Sequence, residues 1–186
     1  KTMTRSANLS IAFSEEQAMI LDSAQAFCRD KSDGNAVRSL LKSETGFNPD
    51  VWDEMVALGW TGLTIPEQFG GFAMGIGATV PLVESMGRHM LCTPYISATI
   101  AAQAIVRGGS ESQQTKWLPA MVQGTIGTLA LLDNEDWGAT STSCVLTGKD
   151  DQLELKGKKL LVHDASVSDF FLVLAQHDGA EVLVIV

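Results

Sequence analysis

Gly109-Ser110-Glu111-Ser112-Gln113-Gln114-Thr115-Lys116-Trp117-Leu118-Pro119-Ala120-Met121-Val122-Gln123-Gly124 is the stretch at which the chain changes character. Ser110 is placed to cap a helix from Glu111 to Gln123. At Thr125 the hydrophobic period changes. Thr128 to Leu132, Thr142 to Thr147, Gln152 to Lys156, Lys158 to His163, Phe170 to Ala175 and Glu181 to Val186 are short, β-branched or alternating runs. Turn residues such as Gly148-Lys149-Asp150-Asp151 and Asp178-Gly179 separate them. The residues after Gly124 therefore read as antiparallel strands.

Upstream the spacing is helical. Ser14-Glu15-Glu16-Gln17 has the form of a capping box, and Ala18, Leu21, Ala24, Phe27 and Cys28 recur at helical spacing, which predicts a helix from Glu15 to Lys31. A weaker helix is expected over Ala36 to Lys42. Pro49 starts another and Gly59 ends it. Trp60 to Gly71 reads as a loop. Helices follow over Ile76 to His89, with Pro81 near the first turn or kinking it, and over the Ala-rich Ile96 to Val106. Helices first and strands last give an α+β protein with a joint near Gly124. The final run, Glu181 to Val186, is the most apolar and predicts either a continuing chain or a partner over that edge.

The 186 residues are 45% hydrophobic and 19% charged, an ordinary globular balance. The net charge of −9, from 22 acidic and 13 basic residues, argues against nucleic-acid binding. No run is long and apolar enough for a membrane span, and no signal peptide pattern is present. The three cysteines, Cys28, Cys92 and Cys144, are dispersed and form no C-x-x-C pair, which fits a reducing cytoplasm.

Few residues carry chemistry by pattern alone. There is no phosphate-binding glycine motif, and His89, His163 and His177 stand at no metal-ligand spacing. Asp133, Glu135 and Asp136 read as a solvated turn, and Lys156, Lys158 and Lys159 as a solvated hairpin face. The junction between helices and strands is the best pointer to a small-molecule cleft.

Several stretches together resemble the acyl-CoA dehydrogenase family. Trp60-x-Gly62-Leu63-x-x-Pro66-Glu67-x-Phe69-Gly70-Gly71 looks like the family's loop after its second main helix. Glu84-Ser85-Met86-Gly87-Arg88 followed by Thr93-Pro94 is similar to its "E-x-x-G-R" helix end. Gly109 to Gly124 resembles its "G-[ST]-x-x-Q…W-L-P-x-x-x-x-G" segment. Leu155-x-Gly157-x-Lys159 and Ala165-x-x-x-Asp169-x-x-x-Val173 extend the match through the β part.

The resemblance implies a helical domain over residues 1–124, then the first part of a flavin-binding, antiparallel, β-barrel-like middle domain over 125–186, without the C-terminal helical bundle. It implies α,β-desaturation of an acyl-CoA thioester, with FAD taking the hydride and an electron-transfer flavoprotein taking the electrons. The proton-abstracting glutamate is expected beyond Val186, so no catalytic residue is assigned. Flavin contacts are expected at Leu131, Leu132, Gly138, Leu161, Val162 and His163, and acyl contacts at Met86, Met90, Thr93 and Ile96. Leu132 stands where the family usually carries a hydroxyl or amide side chain. Leu161-Val162-His163 replaces its usual "W-I-[ST]". Leu161 to Asp169 instead resembles the "V-x-H-G-A-x-x-A-D" run of a bacterial branch that acts on dicarboxylyl-CoA or steroid side-chain CoA esters. That branch implies a homo- or hetero-oligomer. The same departures allow a non-catalytic subunit of a heteromeric dehydrogenase, or a helical interaction module on the family's scaffold.

Overall fold

A computed structural model describes residues 14–136, 142–148 and 152–186. Among the described residues six helices come first: α1 (Glu15–Lys31), α2 (Gly34–Leu40), α3 (Pro49–Ala57), α4 (Val80–His89), α5 (Tyr95–Gly108) and α6 (Glu111–Val122). Five strands follow: β1 (Gly127–Ala130), β2 (Val145–Thr147), β3 (Glu154–Lys156), β4 (Phe170–His177) and β5 (Ala180–Ile185).

The start signals act as the sequence predicts. Ser14 Oγ accepts from the Gln17 amide at 3.2 Å while Gln17 Oε1 accepts from the Ser14 amide at 3.0 Å. Ser110 and Gln113 repeat the device on α6, at 3.3 and 2.9 Å. Asn48 caps α3, with Pro49 in the first turn where its missing amide is not needed. Pro81 likewise falls in the first turn of α4, where its missing amide has no intrahelical partner to lose. The weaker helix is shifted: Asp33 Oδ1 accepts from the amides of Asn35 and Ala36, so α2 begins at Gly34 and ends at Leu40.

One core cluster lies between α1, α3 and α4, built on Ala24, Cys28, Trp52, Met55, Trp60, Leu82, Met86 and Tyr95. The ring of Phe27 meets Trp60 edge-on at 5.0 Å. Polar ties fix the frame: Ser32 Oγ donates to His89 O at 2.8 Å, Trp52 Nε1 to Gly124 O at 2.9 Å, and Thr61 Oγ1 to Val122 O at 2.8 Å. The loop before α4 folds back so tightly at Gly71 that a Cβ there would sit 2.1 Å from Ile65 O.

The sheet is mixed, where antiparallel strands were expected throughout. β4 pairs parallel with β1 over Phe170–Val173 and with β2 at Gln176, and antiparallel with β5 over Leu172–His177; β2 and β3 are antiparallel. Because β5 overlaps both other partners along β4, β1 and β2 must share the opposite edge in series. The reason is sequence distance: β1 precedes β4 by some forty residues, room enough for a parallel return.

The period of two along β4 divides its side chains. Phe170 and Leu172 pack with Ile65, Ala101, Ala102, Ile105, Leu118 and Met121 of the helical half. Trp117 and Phe170 stack with ring centroids 4.4 Å apart. Val173 and Ala175 face away, into a second cluster with Ala130, Cys144 and Leu146. Helices and sheet thus share one apolar seam. Burying Phe170 alone contributes about 1.5–3 kcal/mol.

Candidate functional site

Two neighbouring regions hold the residues the sequence singled out. The first is the chain after β1 and the segment facing it. Lys158 to His163 was expected as a strand, but it is irregular. Leu161 is left-handed, at φ 52°, and so is Asp164, at φ 53°, and these positions interrupt an extended ladder. The segment still runs back along β1: the Leu160 amide donates to Leu132 O at 2.7 Å, and Thr128 Oγ1 donates to His163 O at 2.8 Å. Leu131, Leu132, Leu161, Val162 and His163 are therefore brought together on two adjacent segments. Gly138 lies outside the described residues.

The anchor of this arrangement contradicts its expected exposure. Asp133 and Lys159 read as solvated, yet their side chains are only 14% and 7% exposed. Lys159 Nζ pairs with Asp133 Oδ1 and donates to Leu131 O at 3.0 Å and to Thr142 Oγ1 at 2.7 Å. Asp133 Oδ2 also takes the Ser143 amide and, at 2.9 Å, the Ser143 hydroxyl. Burial works against the Asp133 charge, but the donors from Lys159, Ser143 and Thr142 outweigh it and hold the carboxyl below the usual carboxylate range. A cation and an anion that desolvate together need such a full set of partners. No local sequence pattern signals the pair, because its members are 26 residues apart.

The segment suits a flavin by its backbone. Among the described residues, no hydrogen bond engages the amides of Leu161, Val162 or His163. Leu161 is 55% exposed, and Leu131 is 43% exposed. Open amide donors beside exposed apolar carbons offer what a heteroaromatic ring takes up. The Leu132 side chain supplies no donor.

The second region is a cavity of about 520 Å³ between the end of α4, the start of α5 and the loop before α3. All four expected acyl contacts line it: Met86, Met90, Thr93 and Ile96. Met86 belongs to the core at 5% exposure, while Met90 and Ile96 are exposed. The left-handed cap at Met90, φ 54°, turns its side chain off the end of α4. Sequence reading missed Thr45 and Phe47, which close one wall, and Asp164, which closes another. Asp164 directly follows His163, so one residue links the cavity to the irregular segment. Among the described residues no group of His, Cys, Asp and Glu is placed to hold a metal ion.

A family profile described as acyl-CoA dehydrogenase, N-terminal domain, matches residues 14–125. The chain belongs to the acyl-CoA dehydrogenase family. Members of this family are FAD flavoproteins and oxidoreductases acting on CH–CH groups. The (2S)-methylsuccinyl-CoA dehydrogenase of Cereibacter sphaeroides is 28% identical over 170 residues, 88% of this chain and 30% of that protein. The acyl-CoA dehydrogenase FadE27 of Mycobacterium tuberculosis is 31% identical over 150 residues, 80% of this chain and 39% of that protein. A solved variant of the Tcur3481-Tcur3483 steroid ACAD superposes with a TM-score of 0.85 at 28% identity, over 92% of this chain and 48% of that one. This acyl-CoA dehydrogenase chain thus spans less than half the length of each. Among the described residues no helix is long and apolar enough to cross a membrane.

Proposed function

We propose that this chain forms the acyl- and flavin-contacting front of an FAD-dependent acyl-CoA dehydrogenase subunit, with residues 1–124 as its helical domain and 125–186 as the opening of its middle β-domain. The observation that carries the reading is the link at Asp164: a cavity lined by Met86, Met90, Thr93 and Ile96 abuts the segment Leu161–His163. A substrate chain in the first would lie beside a ring held by the second. FAD, when bound, supplies the hydride acceptor. Leu131, Leu132, Leu161, Val162 and His163 would hold it through amides and apolar contact, with Gly138 a further contact from the sequence match. The cavity walls would orient the acyl chain and keep water from it. The proton-abstracting base is assigned to no residue here. An electron-transfer flavoprotein as electron acceptor, and assembly as a homo- or hetero-oligomer in the cytoplasm, belong to the same proposal.

The full-length protein that carries this chain is expected to purify with stoichiometric flavin. Val162→Pro, which deletes one open amide, is expected to weaken flavin retention at least about tenfold, the equivalent of one charge-free hydrogen bond in a closed site. Purification from FAD-supplemented cells without flavin absorbance overturns the reading. A non-catalytic partner subunit is the second reading, favoured by the apolar side chain of Leu132. Flavin retention without bleaching by any acyl-CoA, until another dehydrogenase subunit is added, would establish it.

A further inference from the structure

The cavity is partly open to solvent, with Asp164 exposed at its edge, and half of its lining is apolar. Val83, Met86, Met90, Leu91 and Ile96 carry its helical walls, with Phe47 across from them. Among the described residues twelve line it; of these Asp164 alone has a charged side chain, and none is Lys, Arg or His. Its placement is specified in detail. Ser97 Oγ, on a residue buried in α5, donates to Asp164 Oδ2 at 2.6 Å. The Asp164 carbonyl accepts from Ser168 Oγ at 2.8 Å and from the Val167 amide at 3.1 Å. The left-handed backbone, φ 53° and ψ 24°, is one that Asp tolerates better than most residues. No described residue donates to Oδ1. On the same cavity's wall, Thr93 Oγ1 is buried with no hydrogen-bond partner, a group that a polar ligand would satisfy.

We propose that Asp164 reads the polar end of the acyl group: the cavity takes chains bearing a hydroxyl and turns away chains bearing a free carboxylate. This rests on the acyl-binding reading above. An ionised carboxylate only accepts hydrogen bonds. With no cation among the described lining residues, it repels a second carboxylate brought beside it. A hydroxyl donates to Oδ1 and adds no charge. Sites that bond a hydroxyl reject the analogue lacking it more sharply than apolar sites reject an extra methylene. The chain is thereby set apart from its methylsuccinyl-CoA-oxidising relative, whose acyl group carries a free carboxylate.

The test needs neither CoA nor flavin. Three probes of similar length, octan-1-ol, 1-methoxyoctane and octanoate, are titrated into the full-length protein that carries this chain at about pH 7, where octanoate is ionised. The methyl signals of Met86, Met90 and Ile96 report occupancy. Octan-1-ol is expected to bind at least about tenfold tighter than octanoate and several-fold tighter than the ether. Asp164→Asn keeps the backbone preference and an acceptor for Ser97 but removes the charge. It is expected to raise octanoate affinity at least about tenfold while changing octan-1-ol little. Asp164→Gly, which fits the left-handed backbone without strain, should do the same, and dispersed spectra of either variant verify the fold. Equal affinities in the parent protein, an unchanged ratio in both variants, or no shift of the methyl signals of these three residues with any probe overturns the proposal. Bleaching of bound flavin by adipoyl-CoA as fast as by 6-hydroxyhexanoyl-CoA would also overturn it, while leaving the dehydrogenase reading intact. A protein without flavin that still prefers octan-1-ol would overturn only that broader reading.

Discussion

The cavity beside α4 and the segment Lys158 to His163 lie side by side but are held in different ways. The cavity wall is the outer skin of a packed core: Met86 continues inward to Leu82, Tyr95 and Met55. Its shape is shared among many dispersion contacts, each small. The segment Lys158 to His163 has no ladder and little burial. It is pinned by the Leu160–Leu132 bond, the Thr128–His163 bond and the Lys159–Asp133 network. The lesson is about how damage spreads. An apolar wall degrades in proportion to what is removed, whereas a polar pin is either complete or leaves a buried charge behind.

Asp133→Ala is expected to separate the two regions most strongly. It strands Lys159, whose side chain is nearly buried, and should cost about 3–5 kcal/mol in a urea melt. The amides of Leu160 to His163 should lose hydrogen-exchange protection while those of α4 and α5 keep theirs. If both regions loosen together, they are not separate mechanical units. Leu82→Ala, at a fully buried site beneath the cavity, should cost about 2–5 kcal/mol. It should shift the Met86 methyl signal and leave the Lys159 neighbourhood unmoved.

Acid offers a gentler separation. The Asp133 carboxyl is held below its ordinary range in the folded chain, so the unfolded chain binds the extra proton first. Its contribution is complete above about pH 4, the ordinary carboxylate value, and is lost as pH falls from there toward the folded value. Stability measured by denaturant should therefore fall with acid over that window, and Asp133→Asn should flatten the fall. An equally steep slope in the variant would assign it elsewhere. Smallest is Ser110→Ala. It removes a capping-box oxygen from α6 and should cost about 1 kcal/mol, read as a shifted melting midpoint with neither region altered.

The helical half was largely legible in advance. Ser14, Asn48 with Pro49, and Ser110 announce their helices by local chemistry, and local chemistry is what caps consist of. The strands were legible as elements but not as a sheet. Nothing near Phe170 to His177 reveals that this run lies in the middle and accepts β1 and β2 in parallel on one edge. Lys158 to His163 alternates well enough to read as a strand. Only the tertiary neighbours of Leu161 and Asp164 impose their left-handed backbones. The four residues expected as acyl contacts come from family likeness and fall on one cavity, whereas Asp164 and the loop at Thr45 and Phe47 reach it across the fold. Asp133 and Lys159 looked like ordinary surface charges, since burial of a pair so far apart in sequence is decided by the fold.

The position of β4 has a further consequence for how the protein is made. Three of the other four strands hydrogen-bond to Phe170–His177, so no sheet with more than the β2–β3 hairpin can form before that run has been synthesised. Ribosomes deliver roughly 5–20 residues per second. For several seconds the finished helical half, with the apolar seam of Ile65, Ile105 and Leu118 still uncovered, waits for the strand that will close it. That interval is when a chaperone that grips exposed aliphatic surface would find this chain, and when crowding or a slow codon run would cost the most yield.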